Sequence, residues 1–407
     1  SLIFDSRRAF GNVNLKNYFG SSLNITWKLI YEVYKHFMPV NQYPRVPYAM
    51  TIHDQKEIDA VVEVLKTSTQ MGDKTRDFEK KVADIYGHKF GIGTNSGSSS
   101  LFIAMEIFKL PKGSEVITPV LTFATTIGCI IKSGCIPSFV DSESSKKFII
   151  DVNKIEKMIN KNTKAMVIPN LMGNMPNWIE IKRIAEKYNL KILEDSADVI
   201  GANYDNKKSG FYSDIAITSF YGMHMINCAG NGGMILTSNE EYNNEAKLLR
   251  SWGRSSSLFV DSEKIENRFN VYLDNIQYDA KFIFEKVGYM LEPSELGSAF
   301  GLEQLNKLED ILKKRKDNAS SHINFFKKYE HWLEIPEMGE KVNSYWFAFP
   351  MIVKEQAPFT RTDLQIFLEK RNIQTRVIFT GNALRQPAFK NITKKVDDDG
   401  YPVADRV

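Results

Sequence analysis

The sequence has few cysteines, no long apolar run and no marked excess of one charge. Its 407 residues include 3 cysteines, Cys129, Cys135 and Cys228, which are too few for a disulfide framework in a chain of this size. No apolar stretch approaches the roughly 20 residues that a membrane-spanning helix needs, and the first residues lack the segments of a signal peptide. We therefore expect a cytoplasmic protein with reduced thiols and no membrane association.

Charge and composition are those of an ordinary globular protein. The 53 basic and 49 acidic side chains give a net charge of +4 and are spread along the chain, so a concentrated basic face for nucleic acid is not expected. A hydrophobic fraction of 43% over this length supplies the core of one large domain and a smaller one.

Short apolar runs alternate with helical patterns through the first two thirds of the chain. Helical spacing is found in residues 54–67 and 74–86. The candidate strands that follow are Lys89–Gly93, Glu115–Thr118, Ile136–Val140, Ala165–Pro169, Lys191–Glu194, Ala216–Phe220 and Gly233–Thr237. This alternation predicts an α/β fold in which helices flank a mostly parallel sheet.

The pattern changes near residue 270, which predicts three parts: an N-terminal arm (1–50) with an amphipathic helix from Trp27 to Phe37, a large domain (51–269) and a smaller α+β domain (270–407). In the smaller domain we expect helices at 294–314, 318–329 and 362–371 and strands at 345–353 and 374–379. No closing helix or strand is evident at the C-terminal end, which is consistent with a truncated polypeptide.

Two polar segments follow predicted strands, where ligands bind in open parallel sheets. Gly97 and Ser98 lie in a serine-rich loop that opens an apolar helix, so backbone N–H groups and hydroxyls are available to a phosphate. A simple helix cap explains this loop about equally well. Asp195 and Asp198 end the next such strand and are suited to a cationic ring, although an acidic strand end is more often a solvated cap.

Two further segments carry a histidine and an aromatic ring. The third runs from Ser219 through Tyr221 and His224 to a glycine-rich turn, and the histidine is a candidate general base. The fourth places Phe123 beyond a strand, where its ring could stack on a flat cofactor. Taken alone, His224 is more often a structural residue and Phe123 an ordinary core residue.

In their order and spacing, the four segments resemble the DegT/DnrJ-type nucleotide-sugar aminotransferases, a branch of the fold type I pyridoxal-phosphate enzymes, from about Asp77 to Asn391. The resemblance implies a large parallel-sheet domain, a smaller α+β domain and a homodimer. It also implies a set of cofactor contacts: Gly97, Ser98 and Ser219 at the phosphate, Phe123 on the pyridine ring, Asp195 at the ring nitrogen and Asp198 near the phenolic oxygen.

One departure from the family pattern changes the expected reaction. His224 stands where the aminotransferases carry the lysine that binds the cofactor covalently, and residues 215–243 contain no lysine. The same replacement marks the family's 3-dehydratases, the CDP-4-keto-6-deoxyglucose 3-dehydrase and the GDP-4-keto-6-deoxymannose 3-dehydratase. Segments 171–174 and 375–387 are also similar to that branch.

The resemblance therefore implies removal of the C3 hydroxyl of a nucleotide-linked 4-keto-6-deoxy sugar, on the way to 3,6-dideoxysugars and surface polysaccharides. Pyridoxamine or pyridoxal phosphate is the expected cofactor, with His224 as acid and base and Asp195 as partner of the ring. The expected substrate contacts are Tyr221, Arg254 and Arg376.

The two dehydratase types differ in what regenerates the cofactor. The CDP type resembles iron–sulfur proteins in having four cysteines after a Trp-Gly-Arg segment, whereas residues 252–257 here contain none. We expect no metal site and favour the GDP-type route, in which glutamate restores the amine cofactor. A separate reductase is the alternative partner.

Two other departures leave alternatives open. The glycine turn 230–233 carries an apparent extra residue, and Met290 replaces an asparagine that in relatives reaches the phosphate of the neighbouring subunit. These departures keep a catalytically silent partner subunit as an alternative to the dehydratase. An aminotransferase is the other alternative, and it would require a cofactor lysine.

Overall fold

The computed structural model describes residues 43–50, 52–259 and 262–407. Most of the predicted N-terminal arm, including the helix from Trp27 to Phe37, lies outside the described residues. No helix in the described part of the chain combines the length and hydropathy needed to cross a bilayer.

A seven-stranded sheet forms the centre of the molecule, and each predicted strand agrees with an observed one to within two residues at either end. The strands are β1 (Phe90–Thr94), β2 (Glu115–Pro119), β3 (Ile136–Val140), β4 (Thr163–Pro169), β5 (Lys191–Asp195), β6 (Ile215–Ser219) and β7 (Gly233–Thr237). Their order is β1-β7-β6-β5-β4-β2-β3. Six strands of this sheet run in the same direction and β7 runs opposite to them, so the prediction of a mostly parallel sheet is confirmed.

Both faces of this sheet are buried, which explains why its strands are apolar along their length. Val116 and Val167 pack in a cluster on one face. The next residue of each strand, Ile117 or Ile168, packs in a second cluster on the other face, with Trp178. Consecutive side chains of a strand point to opposite faces, so each strand contributes to both layers of the core.

Eleven α-helices lie in the described part of the chain, and some of them connect the strands and cover the sheet. They are α1 (Gln55–Lys66), α2 (Asp73–Tyr86), α3 (Gly97–Ile107), α4 (Ala124–Lys132), α5 (Trp178–Tyr188), α6 (Glu240–Arg250), α7 (Ile265–Arg268), α8 (Glu295–Leu305), α9 (Leu308–Phe326), α10 (Arg361–Glu369) and α11 (Pro402–Arg406). The break between the helices predicted at 294–314 and 318–329 lies earlier than expected, at Asn306 and Lys307. One helix, α8, ends at Leu305, and the next, α9, is continuous from Leu308 to Phe326. Lys307 is held there by an ion pair to the buried carboxylate of Glu57, at 2.6 Å.

Short strands complete the structure. Val271–Leu273 pairs with Ile276–Tyr278, and Leu333–Glu334 pairs with Ile352–Val353. A small three-stranded sheet contains Asn203–Tyr204, Lys207–Lys208 and Val342–Asn343.

Three further predictions for the C-terminal third are wrong. Residues 374–379 form no strand. Among the residues that the structure describes, pairing here is limited to an isolated bridge between Val46 and Ile373, and Phe379 has a φ of 42°, which interrupts an extended chain. Of the strand predicted at 345–353, only Ile352–Val353 is present. A closing helix, α11, does exist, and the buried Asp141 carboxylate accepts from its Val403 and Ala404 N–H groups at 3.0 Å each. The domain boundary near residue 270 stays a prediction.

Candidate active site

The four segments singled out in the sequence meet at one edge of the sheet. β1, β2, β5 and β6 all end there, and the antiparallel β7 begins there. Gly233, the first residue of β7, pairs with Thr94 on one side and Ser219 on the other. The serine-rich loop, the glycine turn and the segment leading to His224 are therefore adjacent.

Close backbone approach shapes the part of the site around Gly97. A Cβ on Gly97 would lie 2.7 Å from Cβ of Ser219, and one on Gly233 would lie 2.3 Å from the Ser96 carbonyl. Only glycine fits at either position. Gly97 and Ser98 open α3, whose first N–H groups have no carbonyl within the helix to bond. The result is a narrow cradle of N–H groups and hydroxyls at a helix N-terminus, which is suited to a phosphate.

Asp195 ends β5 as a buried carboxylate with few donors. Its Oδ2 accepts from the Thr126 hydroxyl at 2.8 Å, and its Oδ1 accepts from Ala197 N–H at 3.3 Å. Burial raises the pKa of Asp195, while these two hydrogen bonds lower it. A cation beside Asp195 would stabilise the ionised form, because a buried charge needs a partner.

Asp198 lies three residues further on and is also buried. Its Oδ2 accepts from Met172 N–H at 3.0 Å. Burial, with a smaller contribution from the charge of Asp195, raises the pKa of Asp198 to about 8. The two carboxylates thus differ in their hydrogen-bond donors, although burial raises the pKa of both.

His224 is oriented by the segment that contains Asp195 and Asp198. The Ala197 carbonyl lies 3.0 Å from Nδ1, and since a carbonyl only accepts, Nδ1 carries the hydrogen of this bond and the neutral imidazole keeps its lone pair on Nε2. Burial lowers the pKa of His224 to about 4 against hydrogen bonds to the Ala197 and Ser219 backbones, which raise it. At neutral pH the side chain is a neutral imidazole able to take up a proton.

Two rings predicted to contact ligands are accessible at this edge. Phe123 is 50% exposed at the start of α4 and lies edge-on to Phe379, with ring centroids 5.8 Å apart. Tyr221 is 51% exposed, and its ring centroid lies 6.2 Å from that of His224. Both rings offer free surface beside the buried acids.

The structure places the two predicted arginines differently. Arg376 lies over the ring of Tyr48, at 5.3 Å, and the half-buried Tyr48 has a pKa raised by burial and by the charge of Asp198. Arg376 therefore belongs to the surroundings of the site. Arg254 is held over the rings of Trp252, Phe282 and Phe284, and within the described residues no contact joins it to His224.

Several groups that shape the site were missed by sequence reasoning. Thr126 bonds Asp195, Met172 bonds Asp198, and Arg315 of α9 interacts electrostatically with both Asp198 and His224. Thr126 follows the segment that contains Phe123, and Met172 lies in segment 171–174. Their position shortly after a predicted strand was the signal that could have identified them. Nothing in the local pattern around Arg315 distinguishes it from the exposed cations of the same helix.

The three cysteines belong to the apolar core. Cys129, Cys135 and Cys228 are buried and free. In the described ranges, no group of three or more His, Cys, Asp or Glu side chains is arranged to hold a metal ion.

Comparison with known proteins identifies the family. Residues 51–407 match the model of the DegT/DnrJ/EryC1/StrS aminotransferase family. The chain belongs to this family. The expected family and the fold type I class are thereby confirmed.

Individual relatives narrow the comparison. The lipopolysaccharide biosynthesis protein RfbH of Salmonella typhimurium is 34% identical over 363 residues, covering 86% of this chain and 83% of the relative. GDP-4-keto-6-deoxy-D-mannose 3-dehydratase of Yersinia pseudotuberculosis is 31% identical, covering 89% and 90%. A crystal structure of GDP-4-keto-6-deoxymannose 3-dehydratase with a trapped PLP–glutamate geminal diamine superimposes with a TM-score of 0.80, at 27% identity and with coverage of 89% and 93%.

Proposed function

We propose that this protein is a lyase that uses pyridoxamine or pyridoxal phosphate to remove the C3 hydroxyl of a nucleotide-linked 4-keto-6-deoxyhexose. The product class is a precursor of 3,6-dideoxysugars for surface polysaccharides. The observation that carries the proposal is the environment of His224, a neutral imidazole oriented by the Ala197 carbonyl. The sequence resemblance implies that this residue replaces the family's lysine.

The residues at the sheet edge fit the cofactor. The cradle of Gly97, Ser98 and Ser219 would hold the phosphate, and the half-exposed ring of Phe123 would stack on the pyridine. Asp195, which has one hydroxyl donor and one long N–H contact, would pair with the protonated ring nitrogen, and Asp198 would lie near the phenolic oxygen. The bound cofactor supplies an electron sink for the carbon atoms attached to it.

His224 moves the proton in this scheme. Its imidazole is neutral before the reaction, so Nε2 can accept a proton from the carbon next to the ring. Burial disfavours the resulting imidazolium, so it is a strong proton donor. The same nitrogen can then protonate the departing C3 hydroxyl, which leaves as water and restores the neutral imidazole.

The substrate contacts are also part of the proposal. Tyr221 and Arg376 lie at or beside the site in this chain. Arg254 is separate from it, and we assign it to the site of a neighbouring copy in a homodimer. The segment that contains Arg254 exposes a group of large apolar side chains, as a protein interface does: Tyr272, Leu273, Ile276, Phe282, Phe284 and Val287.

Regeneration of the cofactor by glutamate is the favoured route. A crystallised dehydratase with a similar structure holds PLP and glutamate together, and the cysteines needed for an intrinsic cluster are missing from residues 252–257. A separate reductase is the alternative. The expected cytoplasmic location belongs to the same proposal and can be checked by cell fractionation.

Two other functions compete with this one. An aminotransferase needs a lysine near residue 224, and residues 215–243 contain none. A catalytically silent subunit is favoured by Met290, which is 54% exposed and lacks the amide of the asparagine in relatives. Absence of a pyridoxal or pyridoxamine absorbance band after reconstitution would support the silent subunit.

The deciding experiment combines the purified protein with pyridoxamine phosphate and either CDP- or GDP-linked 4-keto-6-deoxy sugar, with and without glutamate, and follows the mass of the sugar. We expect loss of the C3 oxygen, with repeated turnover only when glutamate is added. Oxygen retained with nitrogen gained would identify an aminotransferase. Oxygen loss that requires an added reductase would replace the glutamate route.

A further inference from the structure

Arg315 is a cation of α9 that reaches the inner side of the site. Its Nη1 donates to the Phe347 carbonyl at 2.8 Å and to the Trp346 carbonyl at 3.3 Å. Its Nε is buried and has no hydrogen-bond partner within the described residues. A buried guanidinium with an unbonded N–H costs stability, so a role in the site is a reasonable explanation for its presence.

A short series of contacts connects Arg315 with Asp198 and His224. Phe347 N–H donates to the Met172 carbonyl at 2.9 Å, and Met172 N–H donates to Asp198 at 3.0 Å. The ring of Phe347 lies edge-on against the imidazole of His224, with centroids 5.2 Å apart. By fixing the Phe347 backbone, Arg315 fixes a ring that contacts His224.

The charge of Arg315 acts on the same two groups. Burial is the main cause of the lowered pKa of His224, and the positive charge of Arg315 lowers it further. The same charge lowers the pKa of Asp198, which burial and Asp195 raise. Tyr48 and Tyr345 are the other titratable groups facing Arg315, and Tyr221 faces His224.

We propose that Arg315 is a positioning residue for His224: it holds Phe347 against the imidazole and places a fixed positive charge on the inner side of the site. The proposal rests on the assignment of His224 as the base. It adds a residue from the C-terminal third of the chain, which acts on His224 through Phe347.

The test measures the His224 titration by NMR in the cofactor-free protein with isotope-labelled histidine. The chain has six histidines, and His224→Asn assigns the signal. Arg315→Gln keeps hydrogen-bond donors for the two carbonyls but removes the charge, whereas Arg315→Lys keeps the charge. Arg183→Gln is the matched control, since Arg183 pairs with Glu180 and Glu156 on an exposed surface.

We expect the His224 pKa to rise by about one unit in Arg315→Gln and to stay at the wild-type value in Arg315→Lys and Arg183→Gln. An unchanged His224 pKa in a folded Arg315→Gln protein would overturn the proposal. So would loss of the folded state in Arg315→Gln with retention in Arg315→Lys, because the charge would then be structural.

Activity gives an independent readout. If His224 is the base, the acid limb of the pH–rate profile should move with the NMR titration in Arg315→Gln. A pKa shift in the cofactor-free protein without any change of that limb would support the influence of Arg315 on His224 but contradict the assignment of His224 as the base. The two failures are therefore distinguishable.

Discussion

Two adjacent carboxylates on β5, Glu194 and Asp195, face opposite sides of the central sheet and have opposite hydrogen-bond environments. Glu194 accepts from the Asn170 amide, from the Ser196 and Ser209 hydroxyls and from Gly210 N–H, all within 3.0 Å. Asp195 accepts from one hydroxyl at 2.8 Å and from one N–H at 3.3 Å. Burial raises the pKa of both side chains, so burial alone does not distinguish them.

The two carboxylates differ in how many of their hydrogen-bond acceptor positions are occupied by donors from the protein. The protein itself satisfies Glu194, which therefore acts as a structural acceptor joining β5 to the following loop. Asp195 retains acceptor capacity on the side where Phe123, His224 and the phosphate cradle meet. An under-satisfied buried carboxylate among such groups is a better indicator of a ligand site than acidity at a strand end.

The largest expected effect on activity comes from His224, which lies on the same side of the sheet as Asp195. His224→Asn should lower turnover by about 10²–10⁴-fold. The asparagine amide can neither accept a proton from the carbon next to the ring nor return a proton to the departing hydroxyl. Exchange of the cofactor's methylene proton with deuterated solvent, followed by NMR, measures the step directly. Cofactor binding, measured by absorbance, should be retained.

Exchange that persisted in His224→Asn would remove this histidine from the acid–base role. His224→Gln is a useful second variant, since its longer side chain tests whether position or chemistry is lost.

Asp195→Asn sharpens the comparison directly. It should lower activity by about 10²–10³-fold, the usual cost of removing one electrostatic partner from an active site. Because the buried charge has few donors, the stability of the cofactor-free protein at neutral pH should be unchanged or higher. Urea unfolding with and without cofactor measures both effects.

A loss of stability in cofactor-free Asp195→Asn would show that Asp195, like Glu194, is structural. Cofactor-induced stabilisation is the second indicator, and it should be smaller in the variant than in wild type.

The structural acid should behave in the opposite way. Glu194→Gln places an NH₂ group among four donors, which leaves at least one buried group unsatisfied and should cost about 1–3 kcal/mol of unfolding free energy. Activity per folded molecule should change far less than in Asp195→Asn. The matched control is Glu186→Gln, because Glu186 on α5 has a 68% exposed side chain.

If Glu194→Gln and wild type were equally stable in urea unfolding, Glu194 would not be the structural acid, and its contrast with Asp195 would be wrong.

Sequence reasoning reached the strand ends but not the contacts across them. β5 and β6 were predictable because each apolar run stops at a polar residue, and Asp195 and His224 follow from that pattern. The hydrogen bond from Thr126 to Asp195 and the approach of Arg315 depend on packing between distant segments. Residues 345–351 show the same limit: Arg315 and Met172 bond the backbone at Trp346 and Phe347, which takes the place of strand pairing.

The smallest expected effect concerns Asp198 and its pH dependence. Burial raises its folded-state pKa to about 8 from an ordinary value of 3.8, so the folded protein binds this proton more tightly than the unfolded chain. The stability from Asp198 is present at low pH and is lost as pH rises through 8, by about 1–2 kcal/mol between pH 6.5 and 8.5. The lowered pKa of His224 acts only at lower pH and does not interfere.

Asp198→Asn should remove this slope, since the amide does not titrate while its Oδ1 can still accept from Met172 N–H. Urea unfolding of the cofactor-free proteins at pH 6.5 and 8.5 gives the comparison, and Asp205→Asn serves as the control because Asp205 lies in a surface turn with a positive φ of 50°. Parallel losses of stability in wild type and Asp198→Asn would mean that Asp198 is already ionised at pH 6.5. Asp198 would then be ionised, as Asp195 is expected to be when the cofactor is bound. The two acids on this side of the sheet would not differ in their charge.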